Sequence, residues 1–261
     1  MSWFETAFGA HYPLLYAHRD AAEAAAAVGA RERLAPLGGD PCLDLGCGAG
    51  RHLAFLARDR RQVVGLDLSM ALLVAAGATA AAAGAALVRG DMRRLPLRDG
   101  RFGAVLSLFT AFGYFGPLRE HAGVIAEIAR VLRGGGHWYL DYLNCAKVRR
   151  ELAAADAPRR WRESGPLAIG EERSLAGDRV VKQVLVRPRP GQAAAAAALG
   201  VPAAGLAYAE EVALFAPDEL DALAAAHGLR RAAAAGGYAG ESFADPEAPR
   251  WLLAYRREER S

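Results

Sequence analysis

Three glycines on alternate positions, Gly46, Gly48 and Gly50, stand in the string LDLGCGAGRH, residues 43 to 52, with Asp44 two residues before the first. Glycine lets a backbone turn sharply and lets a ligand approach where a side chain would block it. An apolar run, such a loop and then a helix is the pattern of a nucleotide-binding turn, although glycines alone are weak evidence. A second acid, Asp67 in GLDLS (residues 65 to 69), follows Asp44 by 23 positions. A carboxylate ending a second strand can accept both ribose hydroxyls of an adenosine. Asp67 does not by itself separate one adenosine-containing ligand from another. The loop does better: the dinucleotide fingerprint wants glycine or alanine at its sixth position, and Arg51 stands there.

Three further strings follow in order: GDMRRLP at residues 90 to 96, AVLSLFTAFGYF at 104 to 115, and ARVLRGGGHWYLDYLN at 129 to 144. Asp44 followed by GCGAG resembles motif I of the class I S-adenosylmethionine-dependent methyltransferases. The glycine turn at 134 to 136 resembles their "LKPGG" region, with glycine at the usual proline position. The likeness covers residues 41 to 144 in order and spacing. It implies S-adenosylmethionine as cofactor, met by Asp44, Gly46, Cys47, Gly48 and Gly50 at the loop. It also implies Asp67 and Leu68 at the ribose, Asp91 at the adenine amine, Met92 bordering the ring, and Leu108 and Phe109 after the fourth strand. Thr110, Phe112 and Tyr114 would face donor and acceptor. By the same resemblance Tyr12 and Tyr16 are positioning aromatics and Arg19 pairs with the donor carboxylate. The layout is similar to small-molecule N-methyltransferases of the amino-sugar and glycine type, which implies an enzyme with a small amine or hydroxyl acceptor. Two rivals stay open: a noncatalytic donor-binding partner subunit and an NAD-dependent oxidoreductase.

The elements that must position these residues read as alternating strands and helices. Strands are expected at 41–45, 62–67, 86–89, 102–108 and 136–142, with helices at 50–59, 69–82 and 117–132. Alternation of this kind builds an α/β, doubly wound, mostly parallel seven-stranded sheet. Residues 1–37 form an aromatic-rich helical lid, with a capping box from Asp20 to Glu23. Residues 38–144 form the donor-binding core, 145–215 a small antiparallel β insert, and 216–261 the rest of the core. Within the insert, extended runs at 159–164, 167–176, 179–188 and 206–215 include a turn at Ala176-Gly177-Asp178. The segment 188–205, with its run of six alanines, reads as a flexible surface loop. A helix over 217–227 and strands at 229–235 and 250–256 complete the chain.

With 261 residues, 53% hydrophobic and 23% charged, the chain can bury a full core. A net charge of +3 gives no footprint for nucleic acid or an anionic membrane. Of 32 basic residues only Lys147 and Lys182 are lysine, so arginine abundance reads as coding bias rather than a patch. Cys42, Cys47 and Cys145 show no paired spacing for zinc and no even count for disulfides, so no metal is expected and a reducing cytoplasm follows. Residues 68 to 88 run 21 positions without a charge, yet are mostly alanine and glycine, and read as a helix and strand rather than a membrane span. The insert either contributes to the acceptor pocket or forms a homodimer interface. His11, His18, His137, Asp141 and Asn144 are conceivable general bases, and the sequence does not choose among them.

Overall fold

The computed structural model describes residues 3–17, 19–36, 41–58, 62–153 and 159–259. Three helices lead: α1 (Trp3–Ala7), α2 (Tyr12–Leu15) and α3 (Ala21–Leu34). Then β1 (Cys42–Leu45), α4 (Leu53–Leu56), β2 (Val63–Asp67), α5 (Met70–Ala83), β3 (Ala86–Arg89), β4 (Phe102–Ser107), α6 (Leu118–Val131) and β5 (Leu132–Leu143) alternate. After α7 (Cys145–Ala153) come β6 (Arg160–Ser164), β7 (Leu167–Ala176), β8 (Arg179–Pro188), α8 (Ala193–Ala198) and β9 (Leu206–Ala213). The chain closes with α9 (Pro217–Ala225), β10 (Leu229–Ala235) and β11 (Arg250–Arg257).

The main sheet has seven strands in the order β10-β11-β5-β4-β1-β2-β3, parallel except for β11, which runs against both its neighbours. β1 and β4 are buried at every position, as parallel strands covered on both faces must be. The neighbours of β1 are β4 and β2, so the chain crosses over at that point and opens a crevice at the carboxyl ends. A second sheet, β6-β7-β8-β9, is wholly antiparallel. This is the doubly wound sheet with an antiparallel insert that the sequence pattern predicts.

Local chemistry explains the boundaries that matter for the site. Asp20 caps α3 by accepting from the Glu23 amide at 2.9 Å, which fixes where the N-terminal segment turns. Ser69 caps α5, and Gly84 ends it at φ +65°, where only glycine is at ease. The uncharged stretch 68 to 88 is therefore α5 and β3, and no helix among the described residues is long and apolar enough to cross a membrane.

Two expectations need correction. The helix expected over 50–59 contracts to α4 among the described residues, because residues 46 to 52 stay in loop and turn geometry. The segment 188–205 is not a flexible surface loop. Its alanines form α8, and Ala196 and Val201 are fully buried with Leu167, Ile169, Val184 and Val186 of the insert sheet. A low-complexity alanine run looks structureless by composition, but alanine is the best helix former and its small face packs closely. Val201→Ala should therefore lower the unfolding free energy by about 1–3 kcal/mol, read from urea denaturation midpoints, against the ~0.5 kcal/mol or less of an exposed loop residue.

Candidate active site

β1, β2 and β3 all end at one cavity of about 440 Å³. Its floor includes Gly46, Gly48, Asp67, Leu68, Asp91 and Met92, all singled out by the sequence pattern. Phe4, Phe8 and Tyr12 from the N-terminal segment roof it, and Ala111 and Tyr114 close the β4 side. Gly46 has φ +78°, and a Cβ there would stand 2.9 Å from the Ala111 Cβ, so the loop can lie against the chain leaving β4 only with glycine. Gly50 serves packing instead, since its Cβ would stand 2.9 Å from the Ala76 Cβ of α5. Cys47 and Leu108 are buried in the core beneath the site, and burial pushes the Cys47 thiol well up.

The Asp67 carboxylate accepts from the Gly48 and Ser69 amides, each at 2.9 Å, and so ties the glycine loop to the start of α5. Asp44 lies buried below the loop, and its Oδ2 has no hydrogen-bond partner among the described residues. Burial, then the nearby Asp67 charge, raises its pKa to about 7. His52 Nδ1 is 4.0 Å away, but burial and Arg51 lower that imidazole to about 3, so the contact is no ion pair at neutral pH. Asp91 behaves oppositely: burial opposes its ionisation, and hydrogen bonds from Arg93 outweigh that and lower its pKa.

A second cavity, about 120 Å³, adjoins the first. Phe8, Tyr12 and Tyr114 line both, as an aromatic collar with Phe8–Tyr12 centroids 4.9 Å apart and Phe8–Tyr114 5.6 Å apart. The roof is pinned by Ser69 Oγ, which donates to the Phe8 carbonyl at 2.6 Å. Tyr16, Arg19, Phe109 and Thr110 line the second cavity. Phe109 and Thr110 have φ +60° and +61°, a region uncommon for residues other than glycine. Asp141 holds them there: its carboxylate accepts from the Phe109 amide at 2.7 Å, and its carbonyl accepts from the Thr110 amide at 3.0 Å. Arg250 ion-pairs with Asp141 and donates to Thr110 Oγ1 at 2.7 Å. The guanidinium groups of Arg19 and Arg51 stand 4.2 and 4.1 Å from the Phe109 ring centre and share one carboxylate, Glu23.

The insert sheet supplies the far wall. Lys182 Nζ lies 2.7 Å from Glu210 Oε2 and donates to the Tyr16 hydroxyl, which donates to Glu210 Oε2 at 3.1 Å. Burial first, with the Glu210 charge adding to it, raises the phenol pKa values of Tyr12, Tyr16 and Tyr114, so all three stay protonated in neutral water. Sequence reasoning missed Glu210, Lys182 and Arg250, because their meeting depends on β8–β9 and β5–β11 register. Lys182 did carry a signal, as one of two lysines among 32 basic residues.

The conceivable bases fall elsewhere. His11 and His137 line neither cavity, Asp141 is engaged under Phe109, and Asn144 caps α7 and donates to the Ala248 carbonyl at 2.9 Å. His18 lies outside the described residues. Phe112 points into the core against His121 and Trp138 rather than toward a ligand, which corrects the expectation for it.

Residues 42–136 match the family described as Methyltransferase domain. Over 94 residues the chain is 35% identical to dTDP-3-amino-3,4,6-trideoxy-alpha-D-glucopyranose N,N-dimethyltransferase of Streptomyces venezuelae, covering 36% of this chain and 38% of that one. Over 133 residues it is 35% identical to a fatty-acid O-methyltransferase of Mycolicibacterium smegmatis, covering 46% and 44%. The chain thus spans less than half the length of these relatives. Among solved structures, an S-adenosylmethionine-dependent methyltransferase from Clostridium acetobutylicum superposes with TM-score 0.74 at 15% identity, over 95% of this chain and 96% of that one. An S-adenosylmethionine-bound amino pentose methyltransferase from Micromonospora echinaspora gives 0.65 at 24%, over 94% and 96%. At such identities these likenesses speak to the fold.

The Asp44 carboxyl gives a pH test. Its folded pKa lies above the unfolded value, so the folded state binds the extra proton and stability falls as pH rises from about 4 through about 7. Asp44→Asn should flatten that slope in urea denaturation measured across this window.

Proposed function

We propose that this chain, in which residues 42–136 form a class I methyltransferase domain, transfers a methyl group from S-adenosylmethionine to an amine or hydroxyl of a small molecule. The observation that carries the reading is a site divided into two cavities that share Phe8, Tyr12 and Tyr114. Methyl transfer is an in-line displacement, with nucleophile and leaving group on opposite sides of one carbon. Two compartments meeting at a collar suit that geometry, and holding reactants in near-attack alignment can contribute roughly 7–11 kcal/mol. The relatives act on acceptors as different as an amino sugar and a fatty acid by name, which supports a small acceptor without choosing one.

The larger cavity falls in the ~300–1,000 Å³ range of small-ligand sites. Its glycine-lined floor and the Asp67 carboxylate at its wall fit the adenosine half of the donor. Asp67 retains lone pairs beyond its two amide bonds, which would accept the ribose hydroxyls, and Met92 and Asp91 would meet the adenine ring and its amine. Arg19 and Arg51 share a single carboxylate, so one positive charge is left for the donor's own carboxylate. When bound, S-adenosylmethionine supplies an electrophilic methyl group on a sulfonium. The collar faces of Tyr12 and Tyr114 attract such a cation by about 0.5–2 kcal/mol each. The N-terminal segment acts as a lid that keeps water out. Glu210, held by Lys182 and Tyr16, receives the proton that the attacking amine or hydroxyl gives up.

Isothermal titration should give saturable binding of S-adenosylmethionine and S-adenosylhomocysteine and none of NAD. Asp67→Asn should weaken S-adenosylhomocysteine about tenfold, the worth of one charge-assisted hydrogen bond. Glu210→Gln should leave that affinity within about threefold yet lower kcat on hydroxyl acceptors about 100-fold or more. S-adenosylhomocysteine release across an amine and hydroxyl panel is the readout.

A further inference from the structure

The wall of the second cavity sets two cations directly opposite each other. In the insert sheet Arg173 of β7 stands directly opposite Lys182 of β8, and Lys182 directly opposite Glu210 of β9. Side chains directly opposite share a sheet face, and like charges so placed repel. Arg173 and Lys182 both line the cavity. Among the described residues four cations line it (Arg19, Arg173, Lys182 and Arg250), against one carboxylate, Glu210. Three have acidic partners: Arg19 shares Glu23 with Arg51, Lys182 has Glu210 at 2.7 Å and Glu171 at 3.3 Å, and Arg250 has Asp141. The exposed Arg173 side chain has no hydrogen bond or ion pair among the described residues, and the next cation on its face repels it. Apolar residues complete the lining: Leu143, Val148, Val180 and Val212.

We infer that the acceptor is a small organic acid, with an apolar body against these residues and a carboxylate or phosphate docked on Arg173 beside Lys182. The inference rests on the methyl-transfer reading, which makes the second cavity the acceptor's. An anion there relieves the cross-strand repulsion and gives Arg173 the counter-charge that no described side chain supplies. The opposite choice, a cationic acceptor, would meet an excess of positive charge. The acid also fixes the acceptor's orientation. Held at β7, it leaves the rest of the molecule to extend past Glu210, where the proton of its amine or hydroxyl is received, toward the collar.

The full chain saturated with S-adenosylhomocysteine is titrated with benzoate, phenyl phosphate and, as a neutral control, benzamide. One or both acids should bind at a single site, benzamide at least tenfold more weakly, and Arg173→Gln should cost the acid at least tenfold. The acid that binds identifies the head group, carboxylate or phosphate. Without ligand, Arg173→Gln should melt about 1–4 °C higher than the parent, because the like-charge pair is gone. The proposal is overturned if neither acid binds, if benzamide binds as well, or if Arg173→Gln binds the acid equally. Arg173 could instead serve the donor's carboxylate. The substitution would then weaken S-adenosylhomocysteine but not 5′-methylthioadenosine, which lacks the amino-acid part, and that result also overturns it. If S-adenosylhomocysteine fails to bind the unmodified chain, the donor reading has failed rather than this one.

Discussion

Much of the site hangs on one buried carboxylate. Asp141, on β5, accepts from the Phe109 amide, the Tyr238 hydroxyl at 2.5 Å and the Arg250 guanidinium, so it joins the exit of β4 to β11 and the loop before it. Left-handed residues other than glycine cost on the order of 1–3 kcal/mol each and persist only where their surroundings over-determine them. Phe109 and Thr110 are two in a row, and Asp141 with Arg250 is what over-determines them. Their turn reverses the chain so that Ala111 meets Gly46 and Tyr114 reaches both cavities. A buried ion pair is weak evidence for stability. Here its worth is geometric, because it shapes both compartments.

The larger cavity was legible because its lining is local. A strand end, a glycine turn and an acid at the next strand end are separated by short stretches, and the parallel sheet brings such ends together without further instruction. Gly46, Gly48, Asp67, Asp91 and Met92 therefore line one cavity, as their spacing suggests. Gly50, Cys47 and Leu108 belong to the same strings, yet they pack the loop against α5 and the core. A motif records which residues a turn needs, not which of them face the ligand.

The second cavity was not legible, for a different reason. Lys182 and Glu210 are 28 positions apart, and Arg250 and Asp141 are 109 apart, so their meeting follows from strand register. A shift of one residue in β8 would have turned Lys182 to the opposite face of the sheet. The alanine run of α8 failed for a simpler reason: composition concealed a helix whose small face closes the insert. Lys182 was the exception, conspicuous as a lysine in an arginine-rich chain.

The shared collar has a thermodynamic consequence. Phe8, Tyr12 and Tyr114 belong to both compartments, so a ligand that orders these rings from one side changes the surface offered to the other. The two occupants are then linked: whatever factor the first contributes to the affinity of the second, the second returns in full. If the first occupant orders the rings, the later arrival loses less conformational freedom, and a ternary complex is favoured over either binary one. Cooperativity of this kind needs no movement of the sheet, only a wall with two sides.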